Sequence, residues 1–82
     1  RDSASISIHQ HVCADHRPLF DLVEPIFWKY GGRPHWGKLH SLDAARLAEL
    51  YPRWDDAARV RERLDPQGRM LNAHLRKLLV LP

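Results

Sequence analysis

Apolar positions along this chain follow two different periods. From Ala4 to Val12 they alternate: Ala4, Ile6, Ile8, Gln10 and Val12 fall on one face, and Ser5, Ser7, His9, His11 and Cys13 on the other. That period of two predicts a strand with one apolar and one polar side. The period then lengthens. Leu19, Val23, Ile26, Phe27 and Tyr30 recur at helical spacing, Pro18 suits a first helical turn, and Gly31-Gly32 ends the stripe. Pro25 falls inside it and is expected to kink or divide the helix, because it has no N–H for the carbonyl of Asp21.

The densest stretch of chemistry follows, in Gly31-Gly32-Arg33-Pro34-His35-Trp36-Gly37-Lys38-Leu39-His40. Pro34 favours an extended Arg33, so the chain is expected to leave the glycine turn as a strand or strand-like loop. Alternation would then set Trp36, Lys38 and His40 on one side, an ammonium beside an aromatic slab, and His35, Gly37 and Leu39 on the other. Three helices are predicted after it. Ser41 is the expected N-cap of the first, with Asp43 in its first turn, Leu47, Leu50 and Tyr51 inward, and Pro52 as its stop. The second runs from about Trp54 to Leu64, with Trp54, Ala57, Ala58, Val60 and Leu64 inward. Asp65-Pro66-Gln67-Gly68 reads as a tight turn, Met70 and Leu71 as buried, and Asn72 as the cap of a last helix, Ala73 to Leu79, packed through Leu75, Leu78 and Leu79. The pattern therefore predicts an α+β arrangement of about two strands and about four helices. Two strands joined by a helix do not make a stable sheet, so the segment reads as a fragment whose strands complete a sheet supplied elsewhere.

Composition narrows the classes. At 82 residues the chain is one domain at most, and its hydrophobic fraction of 44% and charged fraction of 28% are those of a folded protein rather than a disordered one. Thirteen Lys+Arg against ten Asp+Glu give a net charge of +3 in mixed sign, which does not demand nucleic acid. Arg59, Arg61, Glu62 and Arg63 read as a solvated face, the alternative being a basic interaction surface. One cysteine excludes an internal disulfide and a CxxC metal site, and it fits a reducing compartment. No apolar run approaches the 18 or so residues of a membrane span, so a cytoplasmic or peripherally membrane-associated location is expected. His9 and His11 stand about 7 Å apart on one strand face. They read as solvent-facing, as facing a substrate or cofactor, or as part of a metal site completed by His16, His35 or His40.

The residues also carry a resemblance. Glu24-Pro25-Ile26-Phe27-Trp28-Lys29-Tyr30-Gly31-Gly32-Arg33-Pro34-His35-Trp36-Gly37-Lys38-Leu39-His40, then Leu50-Tyr51-Pro52 and Asp65-Pro66-Gln67-Gly68-Arg69-Met70-Leu71-Asn72, resemble the C-terminal end of the sugar-1,4-lactone oxidoreductases. That group comprises D-arabinono-, L-gulono- and L-galactonolactone oxidases or dehydrogenases, with alditol oxidase, among FAD enzymes of the vanillyl-alcohol oxidase type. The resemblance implies that residues 1–82 are the C-terminal, substrate- and flavin-contacting segment of a two-domain FAD-linked oxidase. Lys38 matches the family's active-site lysine at the flavin edge and within reach of a substrate hydroxyl. His35 and Trp36 complete its motif around the flavin, His9 and His11 fall on the strand through the substrate site, and Asn72 orders backbone. The implied substrate is a sugar lactone or a polyol, oxidised at CH–OH by hydride transfer, with oxygen or another electron acceptor reoxidising the flavin. The family's N-terminal FAD-binding domain and its Glu-x-Arg pair are not in this sequence, so the segment alone is expected to have no turnover. The sequence departs from the family's usual aromatic residues at Ala57 and Met70. A small His-rich metal-binding or basic interaction module is the rival reading.

Overall fold

The computed structural model describes residues 2–82. Four helices follow one another: α1 (Arg17–Lys29), α2 (Ala44–Leu50), α3 (Trp54–Leu64) and α4 (Ala73–Leu79). No strand forms among the described residues, so the expected α+β class is corrected to an all-helical one. The reason lies in where the backbone donors go. A strand needs a partner for every second N–H, and nothing among the described residues supplies one. After residues 2–10 the chain instead closes on itself: the His11 N–H donates to Gln10 Oε1 at 2.9 Å, Cys13 N–H to His11 Nδ1 at 3.2 Å, and Ala14 N–H to the His11 carbonyl at 2.9 Å. The second expected strand is broken by a turn, in which the Lys38 N–H donates to the His35 carbonyl at 3.0 Å.

The helices start and stop for local reasons. Asp15 accepts from both the backbone and the guanidinium of Arg17, which orders the entry to α1 and holds the Asp15 carboxyl below the usual carboxylate range. Pro18 occupies the first turn as expected. Pro25 leaves the Asp21 carbonyl without a helical donor, yet Arg17–Lys29 stays one helix. The N-cap of α2 is Asp43, not Ser41: its carboxylate accepts from the Arg46 N–H at 3.1 Å, and Ser41 is engaged elsewhere. Asp55 and Asp56 lie in the first turn of α3 and Arg61 and Arg63 in its last, each sign opposite the helix dipole it faces. The Asp65 carboxylate accepts from the N–H groups of Arg69 and Met70 at 2.8 and 2.9 Å, knitting the turn before α4. Asn72 then caps α4 through the Leu75 N–H at 2.8 Å.

The core is small and centred on α2. Leu42, Ala44, Leu47, Trp54 and Leu78 are buried, with Trp28, Ala48, Leu50, Tyr51 and Leu79 packed against them. Helix α1 buries no residue fully and reaches this core through Trp28. The expected inward face of α3 is only partly right. Trp54 is buried and Ala58 and Arg61 are half-buried, whereas Ala57, Val60 and Leu64 face solvent, as does Met70. The radius of gyration of 14.9 Å exceeds the roughly 12 Å of a compact domain this long, which reflects the extended N-terminal segment and the loosely held α1.

This distribution makes a direct prediction. In the 82-residue chain, Leu47→Ala is expected to cost about 2–5 kcal/mol, since Leu47 is 0% exposed at the centre of the core. Leu64→Ala, at a residue 75% exposed, is expected to change stability by less than about 0.5 kcal/mol. Urea unfolding followed by tryptophan fluorescence checks both, and equal costs at the two positions would show that α3 is turned the other way.

Candidate functional site at the Lys38 turn

The chain reaches the site through a tight helix stop. Gly31 takes φ +68°, and its N–H donates to the Trp28 carbonyl at 3.1 Å while the Gly32 N–H donates to the Phe27 carbonyl at 2.8 Å. Together these bonds form a Schellman motif, which satisfies the last carbonyls of α1 and reverses the chain. Each glycine has its own reason. Gly31 needs the left-handed conformation, and at Gly32 a Cβ would sit 3.0 Å from the Phe27 carbonyl oxygen.

Beyond the turn the chain is fastened to the end of α2. Arg33 Nε donates to the Leu50 carbonyl at 3.0 Å, and its guanidinium lies 4.6 Å from the centre of the Tyr51 ring. Trp36 meets Tyr51 edge-on at 5.9 Å between ring centres and Trp54 at 6.2 Å, and its Nε1–H donates to the Tyr51 hydroxyl at 3.3 Å. Tyr51 is thus gripped by a cation over its ring and by an indole at its edge. Pro52 cannot continue α2, so the Leu50 carbonyl needs an outside donor, and Arg33 supplies a charged one.

Lys38 sits at the end of the turn that follows. His35 Nδ1 accepts from the Gly37 N–H at 3.0 Å, which fixes the imidazole against its own loop, and the Lys38 N–H closes back to the His35 carbonyl. The Lys38 side chain is exposed and makes no hydrogen bond or ion pair among the described residues. On its far side the chain is fastened again. His40 Nδ1 accepts from the Leu42 N–H at 3.1 Å, and the backbone N–H and hydroxyl of Ser41 both donate to Glu24 Oε2 on α1, each at 3.1 Å. Burial pushes the His40 pKa below its usual value; nearby His74 and Lys77 push the same way and Glu24 opposes them. The result is an uncommitted ammonium on a loop anchored at both ends. Such a group can donate to, and balance the charge of, an electron-rich ligand.

The expected site residues are therefore brought together in part. His35, Trp36 and Lys38 share one loop, but not by strand alternation: Trp36 packs one edge against Tyr51 while remaining partly exposed, and His35 and Lys38 are exposed. His9 and His11 lie exposed on the N-terminal segment, and among the described residues no hydrogen bond or aromatic contact joins them to this loop. Nor do any three His, Cys, Asp or Glu among the described residues gather in a way that could hold a metal ion. Two shallow, open grooves of about 450 and 520 Å³ run along α3 between residues such as Arg53, Asp56 and Val60, away from Lys38 in sequence and lined by no residue of its loop. Asp56 is paired there with both Arg53 and Arg59, as a solvated face would be. Pattern reading missed the anchoring roles of Tyr51, Glu24 and His40. The available signal was the Leu50-Tyr51-Pro52 stop, which leaves a carbonyl in want of a donor.

A family model described as D-arabinono-1,4-lactone oxidase matches residues 1–78. The chain belongs to the D-arabinono-1,4-lactone oxidase family. It is 47% identical over 79 residues to an L-gulono-1,4-lactone dehydrogenase of Mycobacterium tuberculosis, covering 96% of this chain and 18% of that protein. It is 44% identical over 55 residues to the L-gulonolactone oxidase of Bos taurus, covering 67% of this chain and 12% of that one. It is 39% identical over 62 residues to an alditol oxidase of a Streptomyces species, covering 76% and 15%. The chain thus spans less than a fifth of the length of these relatives. No solved structure matches it. Within the matched residues, the stretch from Arg33 to Ser41 is held by the contacts of Arg33 with Leu50 and Tyr51, of Trp36 with Tyr51 and of Ser41 with Glu24.

Removing the clamp tests this seating. Arg33→Ala loses the bond to the Leu50 carbonyl and the ring contact with Tyr51, at an expected cost of about 1–2 kcal/mol. Arg33→Lys is expected to recover little of it, because an ammonium lacks the planar fork that bonds the carbonyl while lying over the ring. Chemical denaturation measures the cost, and an Arg33→Ala variant as stable as the parent would refute the clamp.

Proposed function

We propose that this segment belongs to an FAD-dependent oxidoreductase that oxidises a CH–OH group of a sugar-1,4-lactone or related polyol, and that Lys38 is its catalytic contribution. The observation that carries the reading is an exposed, unpaired Lys38 ammonium on a loop fastened on both sides, within a family of lactone oxidases. The names of the relatives, two of them acting on a gulonolactone, support a lactone as the substrate. When bound by the whole enzyme, FAD would supply the two-electron acceptor for the hydride of the carbinol carbon, with oxygen or another acceptor as the final oxidant.

The donor set suits such a partner. Lys38 offers three N–H donors and a positive charge, and placed beside the reacting groups it favours the negative charge that develops as the substrate hydroxyl loses its proton. His35 has committed Nδ1 to Gly37, and among the described residues no protein group engages its Nε2, which leaves one further contact to a cofactor. Trp36 has its N–H committed to Tyr51, so its part is to present ring surface and hold the loop. His9 and His11, exposed on the N-terminal segment, are assigned to sugar hydroxyls on the same reading, with the FAD-binding part of the polypeptide closing the site. This segment alone then has no turnover.

In the full-length, FAD-loaded enzyme, Lys38→Ala is expected to slow flavin reduction by about 10²–10³-fold while flavin binding and fold are kept. Stopped-flow absorbance at the flavin band measures this. Reduction at the parent rate would remove Lys38 from the chemistry.

A further inference from the structure

We propose that His40 is a positioning residue for Lys38: its neutral imidazole, accepting the Leu42 N–H, pins the far end of the Lys38 loop between α1 and α4. The proposal rests on the reading of Lys38 as the catalytic cation. The geometry is specific. Lys38 lies two residues before His40, and Leu42, only 4% exposed, is part of the core. The bond from Leu42 N–H to His40 Nδ1 therefore ties the loop directly to the packed interior. Ser41, between them, is held by two bonds to Glu24. On the near side Arg33 and Trp36 hold the same loop to Tyr51. Without the His40 bond the loop would be fixed at one end and by Ser41 alone at the other.

This anchor works in one protonation state. Nδ1 accepts only while it carries no proton, so the neutral ring has its proton on Nε2. That Nε2 is buried and has no protein partner, so nothing there rewards a charged ring. The charged and titratable groups that face His40 are Glu24 on α1 and His74 and Lys77 on α4; Glu24 favours the imidazolium, and the other two oppose it along with burial. The folded ring is thus harder to protonate than a free one. By linkage its contribution is complete above the ordinary histidine value of about 6.5 and is lost as pH falls below it. A proton arriving at Nδ1 ejects the Leu42 N–H and frees the loop that carries Lys38.

The test uses the full-length, FAD-loaded enzyme and two substitutions. His40→Asn keeps an acceptor near the Nδ1 position and stays neutral at every pH, whereas His40→Leu removes it. The parent enzyme is expected to lose flavin-reduction rate on an acid limb lying lower than the ordinary histidine value of about 6.5, because the folded ring is harder to protonate. His40→Asn is expected to keep the rate at pH 8 within about threefold and to lose that acid limb. His40→Leu is expected to be about 10- to 100-fold slower at pH 8, as for a displaced catalytic group. Thermal unfolding across the same pH range gives a readout independent of turnover: acid sensitivity should be smaller in His40→Asn than in the parent. The proposal is overturned if His40→Asn keeps the parent's acid limb, or if it is as slow at pH 8 as His40→Leu. Lys38→Ala, measured alongside, separates the two readings. If it reduces flavin at the parent rate, the assignment of Lys38 fails, while the unfolding comparison still decides whether His40 anchors the loop.

Discussion

Tyr51 is the point on which the seating of the Lys38 loop depends. It follows the last turn of α2, and two residues from a segment 15 to 18 positions earlier close on it: Arg33 over its ring and Trp36 at its edge and hydroxyl. A flexible link alone would leave Lys38 at the end of a wandering loop. The Tyr51 contacts turn that loop into a feature of the helical core, because Trp36 also meets Trp54, which is itself buried there. None of these contacts is strong singly. Their effect is to fix a backbone path at low cost, since aromatic groups lose few torsions on packing.

The remaining interactions are weak in a consistent way. The ion pairs of Arg17 with Asp15, Arg46 with Glu49, and Arg53 and Arg59 with Asp56 lie on the surface, where water and salt screen them, and Arg61 with Glu62 is long at 3.6 Å. Among the described residues the buried core has five members. Apolar side chains such as Leu22, Ile26, Tyr30, Leu39 and Leu64 stand open to solvent. A segment matching less than a fifth of its relatives' length has room to bury such residues only against more protein than it contains. The fastened Lys38 loop therefore stands out against an otherwise lightly held structure.

Two histidine environments show how position decides chemistry. His35 and His40 both use Nδ1 to accept a backbone N–H two residues onward. His35 does so at the surface. His40 does so partly buried, facing Glu24, His74 and Lys77, and its charge state is then coupled to the fold. The same local bond is a surface detail in one case and a link between loop and core in the other.

The helices were legible because their signals are local. Pro18, Gly31-Gly32, the Asp65 turn and Asn72 each act within a few residues, and each works in the structure as its position suggests. The family resemblance was legible because it rests on short local stretches, Glu24 to His40, Leu50 to Pro52 and Asp65 to Asn72, each readable without knowing the fold. The strands were misread because alternation states only which side chains share a face. Whether a strand forms depends on a partner edge, which the described residues do not supply, so residues 2–10 stay unpaired and the Lys38 stretch folds into a turn. Likewise α3 could have buried Val60 and Leu64, but packing against α2 selected the face of Trp54, Ala58 and Arg61. The sequence by itself determined the four helices and most of their ends, the N-cap of α2 excepted, and marked the Lys38 stretch as a candidate site. Only the tertiary structure decided that Tyr51, Glu24 and Leu42 hold that stretch in place, because those contacts join residues through space and leave no periodic trace along the chain.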